Sequence, residues 1–206
     1  MEISTDLVKD LRQRTGAGIM DCKTALRECK GDIEGAIDYL RRKGLAAAAK
    51  RAGRVATEGL VSSYIHAGGK IGVLVEINCE TDFVARTEDF QLFVKNVAMH
   101  IAATSPQYIT REEVEPAVLE KERDIYRTQA REGGKPEKVI DKIVDGKLER
   151  FFSEVCLLEQ TYIKDSELTV KEVLDALIAK IGENIAIRRF ARFQLGEGLG
   201  PRPSAS

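Results

Sequence analysis

Two patterns of hydrophobic and polar residues meet in the middle of this chain. Over residues 71–77, apolar side chains alternate with others in the way that is typical of a half-buried strand. Further along, apolar residues recur at the spacing of one helix face: Phe90, Phe93, Val94, Val97, Ala98 and Ile101. Asp82 and Phe83 therefore lie at a predicted strand-to-helix junction, a kind of short connection that often carries function.

The residues of this junction allow two interpretations. In the first, Thr81 or Asp82 caps the start of the helix and Phe83 packs under it as part of the core, since Ser, Thr and Asp are common before helices. In the second, Asp82 and Phe83 are both displayed on the surface for a partner. The hydrophobic pattern alone leaves both open.

The first 44 residues predict three short helices that form a small bundle. Apolar residues recur at helical spacing in three stretches, and Gly31 and Gly44 are placed to end the second and the third helix. Asp32 is a favourable capping residue for the third. The Ala-rich residues 45–54 would follow as a linker.

The rest of the chain predicts both strands and helices. Strands at residues 60–66 and 71–77, joined by a Gly68-Gly69 turn, predict an antiparallel hairpin. After a helix that ends near Pro106, two helices with a Gly-containing loop between them predict a helical hairpin. The last predicted elements are a strand around Tyr162 and Ile163, a helix from Thr169 and a strand over residues 185–195.

These elements predict an α+β protein in which an antiparallel sheet is packed with helices and a helical hairpin protrudes. We expect a three-helix domain with its linker at residues 1–54 and a core domain at residues 55–196, which includes the helical hairpin at about 110–155. Residues 197–206 are rich in Gly, Pro and Ser, so we expect a disordered tail there.

Composition narrows the possible function classes. The chain has 206 residues, of which 43% are hydrophobic, enough for real cores. Although 32% of the residues are charged, the formal net charge is only -1, which does not predict strong nonspecific binding to nucleic acid. No stretch approaches the roughly 20 apolar residues of a membrane span, and the first ten residues are unlike a signal peptide. We therefore expect a soluble, cytoplasmic protein with no membrane partner.

The cysteine and histidine residues predict neither a metal site nor an enzyme. The cysteines have no CxxC spacing and no histidine at ligand distance in the sequence: Cys22, Cys29, Cys79 and Cys156. Cys22 and Cys29 share an apolar helix face, which predicts core thiols in a reducing compartment. Neither His66 nor His100 has a nucleophile nearby in the sequence. We expect no enzyme active site, no metal and no cofactor.

A Gly-rich turn at residues 15–18 also has two interpretations. Glycines before a helix can bind phosphate, but here no strand precedes them and the Gly-Lys-Ser/Thr ending is missing. A turn between two helices fits the residues better. Such a turn would expose Ile19 and Met20, apolar residues that the core of so small a bundle need not absorb.

A basic run between Arg41 and Arg54 is another candidate interface, because it contains no acidic residue. One interpretation is a solvated helical linker, and the other is a clamp for RNA or for an acidic partner surface. An RNA-binding or ribosome-associated protein would combine this run with Arg188, Arg189 and Arg192, and this is the alternative function. The near-neutral net charge counts against it.

Three segments of the chain resemble the motifs of a known family. They are residues 14–23 (RTGAGIMDCK), 78–86 (NCETDFVAR) and 180–189 (KIGENIAIRR). In this order they are similar to the motifs of bacterial translation elongation factor Ts, the nucleotide exchange factor for the GTPase elongation factor Tu. The resemblance covers the chain from about Leu7 to about Leu199.

This resemblance implies a function and a set of site residues. A family member promotes GDP release from elongation factor Tu so that GTP can bind, and it meets the GTPase in its GDP-bound and nucleotide-free forms. The segment that the family associates with Mg²⁺ dislocation would be Thr81, Asp82, Phe83 and Val84. The loop with Ile19 and Met20 would dock on the GTPase, and the bundle before it would be a ubiquitin-associated-like domain.

The chain resembles the short type of this family. Longer relatives carry the core half twice, whereas this sequence has one hairpin of strands, one helical hairpin and one closing strand. If two core halves are needed to span the GTPase, two chains can supply them. The resemblance therefore implies a symmetric homodimer.

Overall fold

The structure is a computed structural model that describes residues 3–198. Within these residues the chain forms eight α-helices, two short 3-10 helices and one three-stranded sheet. This confirms the predicted α+β class. From residue 199 onward, the predicted disordered tail lies outside the described residues.

The contacts of the chain divide it into two compact units. The first contains residues 3–60, together with Ile77–Gln91 and Glu172–Ala186. The second contains Val61–Glu76, Leu92–Lys171 and residues 187–198. Each unit thus collects segments that are far apart in the sequence.

The predicted three-helix bundle is present in the first unit. Its helices are α1 (Thr5–Thr15), α2 (Ile19–Glu28) and α3 (Ile33–Arg51). Asp32 caps α3 as expected, since its Oδ2 accepts a hydrogen bond from the N–H of Gly35 at 3.2 Å. The buried core of the bundle consists of Leu11, Cys22, Ala25, Leu26 and Ala36.

Helix α3 is longer than predicted. Gly44, which was expected to end it, lies inside the helix, and four alanines follow at residues 46–49. Alanine is the strongest helix former, so the segment continues the helix rather than forming a separate linker. A Cβ at Gly44 would lie 3.4 Å from the Cβ of Ala179, so glycine leaves room for the helix that carries Ala179. The prediction that Gly44 ends α3 is therefore wrong.

The sheet consists of β1 (Glu58–Ile65), β2 (Ile71–Cys79) and β3 (Ile185–Gln194), in the order β1-β2-β3. The predicted hairpin of β1 and β2 is confirmed, although both strands are longer than expected. Gly68 and Gly69 form its turn with φ values of +89° and +69°, which glycine adopts without strain.

One face of β2 is buried, as its alternating pattern predicted. Val73, Val75 and Ile77 are each at most 3% exposed, whereas Leu74 between them is 50% exposed. Strand β3 pairs with the other edge of β2, and the N–H of Leu195 donates to the carbonyl of Lys70 at 2.8 Å. The end of β3 thus meets the start of β2, as in an antiparallel pair.

Helices follow the sheet hairpin in an order close to the prediction. A single turn, α4 (Asp82–Ala85), precedes the long α5 (Glu88–Thr104), whose apolar face is buried. The helical hairpin is α6 (Pro116–Glu132) and α7 (Glu137–Val155), and α8 (Val170–Ile181) leads to β3. The hairpin has a small core of its own: Ala130, Ile140, Val144 and Leu148.

The predicted strand around Tyr162 and Ile163 is wrong. This part of the chain makes one isolated bridge, between Thr161 and Thr169, and otherwise forms a tight loop. The N–H of Tyr162 donates to the carbonyl of Leu168 at 2.8 Å, which closes the loop on itself. Tyr162 is only 7% exposed, so its apolar character reflects local burial rather than a sheet.

Candidate functional site

The most exposed large apolar side chain of the strand-to-helix junction is Phe83. It lies on the one-turn helix α4 and is 78% exposed, whereas Val84 and Ala85 beside it are only 9% and 5% exposed. The interpretation in which Phe83 packs into the core is therefore wrong. The turn thus buries two of its apolar side chains and leaves the third, a large aromatic ring, in contact with water. Aromatic rings of this size contribute strongly to binding when a partner covers them.

Asp82 stands directly before this ring. Its Oδ2 accepts a hydrogen bond from Nη2 of Arg86 at 2.7 Å, an ion pair one helical turn apart. The side chain of Asp82 remains 46% exposed. The junction thus displays an apolar ring and a carboxylate on neighbouring residues, and the carboxylate already has one cation beside it.

Thr81 occupies the capping position of α4, but its hydroxyl does not cap the helix. Its Oγ1 donates to Oε1 of Glu183 at 2.7 Å, and its backbone N–H donates to Oε2 of the same carboxylate at 3.0 Å. Both oxygens of one carboxylate therefore bind the residue from which the helix starts. Glu183 lies 102 positions further along the chain.

A reciprocal contact joins the same two segments. Oε1 of Glu80 accepts a hydrogen bond from the backbone N–H of Asn184 at 2.6 Å. The side-chain amide of Asn184 donates in turn to the carbonyl of Arg54 at 2.7 Å. The start of the junction is therefore held by the loop between α8 and β3, which lies in the third family-like motif.

Sequence patterns alone do not mark Glu80, Glu183 or Asn184 as site residues. All three lie within the quoted motifs, and the pair Glu183-Asn184 separates a helix end at Gly182 from an apolar strand. Two polar residues at such a turn can bind backbone groups of a neighbouring segment. The order of residues along the chain does not show which segment Glu183 and Asn184 bind.

Cys79 ends β2 immediately before the junction and is fully buried. Burial, and to a smaller extent the charge of Glu183, raises the pKa of the Cys79 thiol. Its Sγ lies 3.1 Å from the carbonyl of Thr81. A protonated, buried thiol of this kind contributes to packing and is a poor nucleophile.

Ile19 and Met20 lie elsewhere, on the first turn of α2 in the bundle. They are 54% and 71% exposed, and the preceding residues form a turn between α1 and α2. Gly16 adopts a left-handed conformation there, and the N–H of Ala17 donates to Oγ1 of Thr15 at 3.3 Å. The interpretation of this segment as a helix-helix turn is confirmed.

Much of the basic run between Arg41 and Arg54 has partners inside the first unit. Arg41 pairs with Glu172, and Lys43 pairs with Asp21 at 2.7 Å. Further along, Nε of Arg51 donates to the carbonyl of Gly182 at 2.9 Å. Carboxylates offset the charges of Arg41 and Lys43, and Arg51 is held by a backbone carbonyl, so these three cations are less available to a phosphate backbone.

The arginines of β3 are engaged in a similar way within the second unit. Arg188 and Arg189 both pair with Glu76, at 3.5 and 2.6 Å. The side chain of Arg192 is only 10% exposed, and its Nε donates to the carbonyl of Ala102 at 3.3 Å. Arg192 is therefore largely a structural residue.

Among residues 3–198, no three His, Cys, Asp or Glu side chains are grouped so that they could hold a metal ion. In the same residues, none of the helices is long and apolar enough to span a bilayer.

Comparison with known proteins identifies the family of this chain. A family model described as Elongation factor TS matches residues 45–177. Elongation factor Ts of Geotalea uraniireducens (strain Rf4) is 63% identical over 204 residues, which cover 99% of this chain and 94% of the relative. The chain belongs to the elongation factor Ts family.

Other relatives in this family are equally similar. Elongation factor Ts of Geobacter metallireducens is 64% identical over 202 residues, covering 98% of this chain and 94% of the relative. That of Thermoanaerobacter sp. (strain X514) is 64% identical over 197 residues, covering 96% and 97%. The resemblance inferred from three motifs is confirmed, and the chain is a member of a family of translation elongation factors that take part in protein biosynthesis.

Proposed function

We propose that this chain is a guanine-nucleotide exchange factor for the translation GTPase elongation factor Tu, which promotes GDP release so that GTP can rebind. One observation carries the proposal: in a chain of the elongation factor Ts family, Phe83 stands 78% exposed beside Asp82 on a turn whose other apolar side chains are buried. This is the arrangement that an intruding aromatic side chain requires.

Exchange of this kind needs differential binding and no covalent chemistry. A partner that binds nucleotide-free elongation factor Tu more tightly than the GDP-bound form weakens GDP binding by the same factor. The chain therefore meets the GTPase in both states. The proposal assigns it no enzyme active site, no cofactor and no metal ion of its own.

Phe83 acts as the wedge in this proposal. Burying a phenylalanine side chain in an apolar cleft of the partner contributes roughly 1.5 to 3 kcal/mol. Because the ring is already outside the core, none of the chain's own packing has to be broken to insert it. The ring can therefore separate elements of the GTPase that otherwise close around the nucleotide.

Asp82 and its neighbours act on the phosphate and Mg²⁺ region of the GTPase. Mg²⁺ bridges the nucleotide phosphates to a GTPase, so moving the groups that hold it removes much of the affinity for nucleotide. The carboxylate of Asp82 brings negative charge towards this region and disfavours the bound anion. Thr81 and Val84 set the backbone of the turn, and Val84 is buried while Thr81 binds Glu183.

A second contact with elongation factor Tu is proposed for the bundle. Ile19 and Met20 are neighbouring exposed apolar residues, which suit docking on an apolar surface of the GTPase. We place them in an amino-terminal domain of residues 1–54, followed by a core domain of residues 55–196. The bundle has a buried cluster of its own, and α3 also contacts the segment around α8 through Arg41 and Arg51.

A homodimer is proposed because the second unit exposes several large apolar side chains on its strands. Val61 and Ile65 of β1, Leu74 of β2 and Phe193 of β3 are 50–72% exposed. Ile65 lies over Gly72, on the same side of β2 as Leu74, since its Cδ1 would be 3.1 Å from a Cβ there. A two-fold axis would place this face against itself in a second copy and cover it.

The decisive experiment is stopped-flow measurement of fluorescent GDP leaving elongation factor Tu. The release rate should rise with the concentration of this chain and then saturate, and the affinity for GDP should fall by about 5- to 150-fold, the usual range for coupled sites. A release rate that is the same with and without saturating chain would contradict the proposal.

The alternative is an RNA-binding or ribosome-associated protein that uses the run between Arg41 and Arg54. Arg41, Lys43 and Arg51 have partners within the fold, which counts against their use in binding RNA. The two functions are separated by titration with ribosomal RNA at several salt concentrations. Tight binding that weakens steeply with salt would favour the alternative.

A further inference from the structure

We infer that Glu183 is a positioning residue that orients the Phe83 wedge through Thr81. The inference rests on the proposed exchange function and assigns to it a residue outside the segment Thr81–Val84. The observation is the two-pronged contact in which Oε1 and Oε2 of Glu183 accept from the hydroxyl and the backbone N–H of Thr81 at 2.7 and 3.0 Å.

This contact fixes the direction in which α4 leaves the strand. A residue held by its backbone N–H and its side chain at once cannot rotate about either bond without losing a hydrogen bond. Thr81 is thereby held in its extended conformation, with φ -130° and ψ 152°, immediately before the helical turn that carries Phe83.

The loop that carries Glu183 is itself held on both sides. Before it, the carbonyl of Gly182 accepts from Nε of Arg51 at 2.9 Å, and after it the N–H of Asn184 donates to Glu80 at 2.6 Å. A positioning carboxylate needs this support, because a mobile loop could not restrain its partner. Glu80 and Glu183 thus make reciprocal contacts between the two segments.

The consequence for exchange is preorganisation. Phe83 is 78% exposed, so few contacts of its own hold the ring in place, and its direction depends on the turn beneath it. Without Glu183 the turn would sample several orientations, and the partner would have to select one of them. Small losses of orientation at a functional group reduce rates strongly, even when binding is retained.

Three variants test this in the stopped-flow assay. Glu183→Ala should lower the maximal GDP release rate by about 5- to 10-fold, with a smaller change in affinity for elongation factor Tu. Glu183→Gln should stay within about twofold of the unchanged chain, because its oxygen can accept from the N–H of Thr81 while its amide donates to the hydroxyl. Asp38→Ala, which removes an exposed carboxylate of the same unit, is the charge-matched control.

A double substitution separates positioning from a general structural role. If Glu183 acts through the ring, then Glu183→Ala combined with Phe83→Ala should be no slower than Phe83→Ala alone, within about twofold. The inference would be overturned if the reduction in GDP release rate of the double variant equalled the product of the reductions in the two single variants. It would also be overturned if Glu183→Gln were as slow as Glu183→Ala, since the charge itself would then be what matters.

A readout that does not depend on elongation factor Tu uses the absence of tryptophan from the sequence. In a Phe83→Trp variant, fluorescence excited at the red edge reports only on the wedge. Adding Glu183→Ala should lower its anisotropy, whereas adding Asp38→Ala should not. The inference would be overturned if the anisotropy of Phe83→Trp were the same with and without Glu183→Ala. If Glu183→Ala does not fold, Thr81→Val takes its place. This variant removes only the hydroxyl contact and should lower the anisotropy less.

Failure of the inference is distinguishable from failure of the proposed function. If the unchanged chain does not accelerate GDP release, the proposed function fails. If the unchanged chain accelerates release and Phe83→Ala slows it, but Glu183→Ala behaves like the unchanged chain, only the role of Glu183 is refuted.

Discussion

His100 and Gln160 bind each other inside the second unit, with Nε2 of the histidine 2.9 Å from Oε1 of the glutamine. The N–H of Ile163 donates to the other ring nitrogen, Nδ1, at 3.3 Å. Nδ1 is therefore an acceptor, and in the neutral ring the proton is on Nε2 and points to Gln160. His100 is fully buried, so its role is to join α5 to the loop after α7 rather than to transfer protons.

This histidine makes the stability of the chain depend on pH. Burial, opposed only in part by the hydrogen bond to Gln160, lowers the pKa of His100. An unfolded histidine titrates near about 6.5, so below that pH the unfolded chain binds a proton that the folded chain does not. The contribution of His100 to the free energy of unfolding is therefore fully present above about pH 6.5 and is lost as the pH falls towards the pKa of the folded state. The free energy of unfolding changes by at most about 1.4 kcal/mol per pH unit through this one group.

Urea unfolding from pH 5 to pH 8 checks this prediction. The difference in unfolding free energy between the unchanged chain and His100→Gln should shrink as the pH falls through this range. His66→Gln, which changes the exposed histidine, is compared in the same way. A difference that is the same at every pH would contradict the predicted role of His100.

Phe83→Ala should impair exchange more than binding. Loss of a buried phenylalanine contact worth roughly 1.5 to 3 kcal/mol corresponds to a maximal GDP release rate that is lower by about 10- to 150-fold. Other contacts retain the partner, so the affinity should change less than the rate. Val55→Ala, at another exposed apolar residue, serves as the control. An unaltered release rate at saturating variant would remove Phe83 from the mechanism.

Substitution of both Ile19 and Met20 by alanine should have the opposite effect. These residues dock the bundle in our proposal, so the affinity for elongation factor Tu should fall by about 10-fold, while the release rate at saturation is retained. Calorimetric titration measures the affinity, and Lys23→Ala on the same helix is the control. Full affinity in the double variant would assign the bundle another role.

The exposed sheet face should mediate a noncovalent dimer. Sedimentation equilibrium at micromolar concentration under reducing conditions should give twice the 22.8 kDa of one chain. Phe193→Asp should give the mass of a single chain, because it places a charge in the apolar contact, whereas Val55→Asp should not. A single-chain mass without any substitution would refute the dimer.

The local elements of this protein follow from its sequence, because the forces that form them act between near neighbours. The alternation over residues 71–77 and the helical spacing after Phe90 placed β2 and α5, and the glycines at 68 and 69 placed the turn before them. The same pattern located Asp82 and Phe83 at a junction, and the Gly-rich turn at residues 15–18 predicted the exposure of Ile19 and Met20. Two local predictions were wrong: Gly44 does not end α3, and Tyr162 is not part of a strand.

The orientation of the site was decided only by the tertiary structure. Phe83, Val84 and Ala85 are three successive apolar residues, and no local spacing predicts that the first is exposed while the other two are buried. The carboxylate that holds Thr81 lies 102 positions away, and no local spacing relates the two. Periodicity reports which face of an element is apolar, whereas a hydrogen bond between two loops exists only after the strands and helices that carry them have come together.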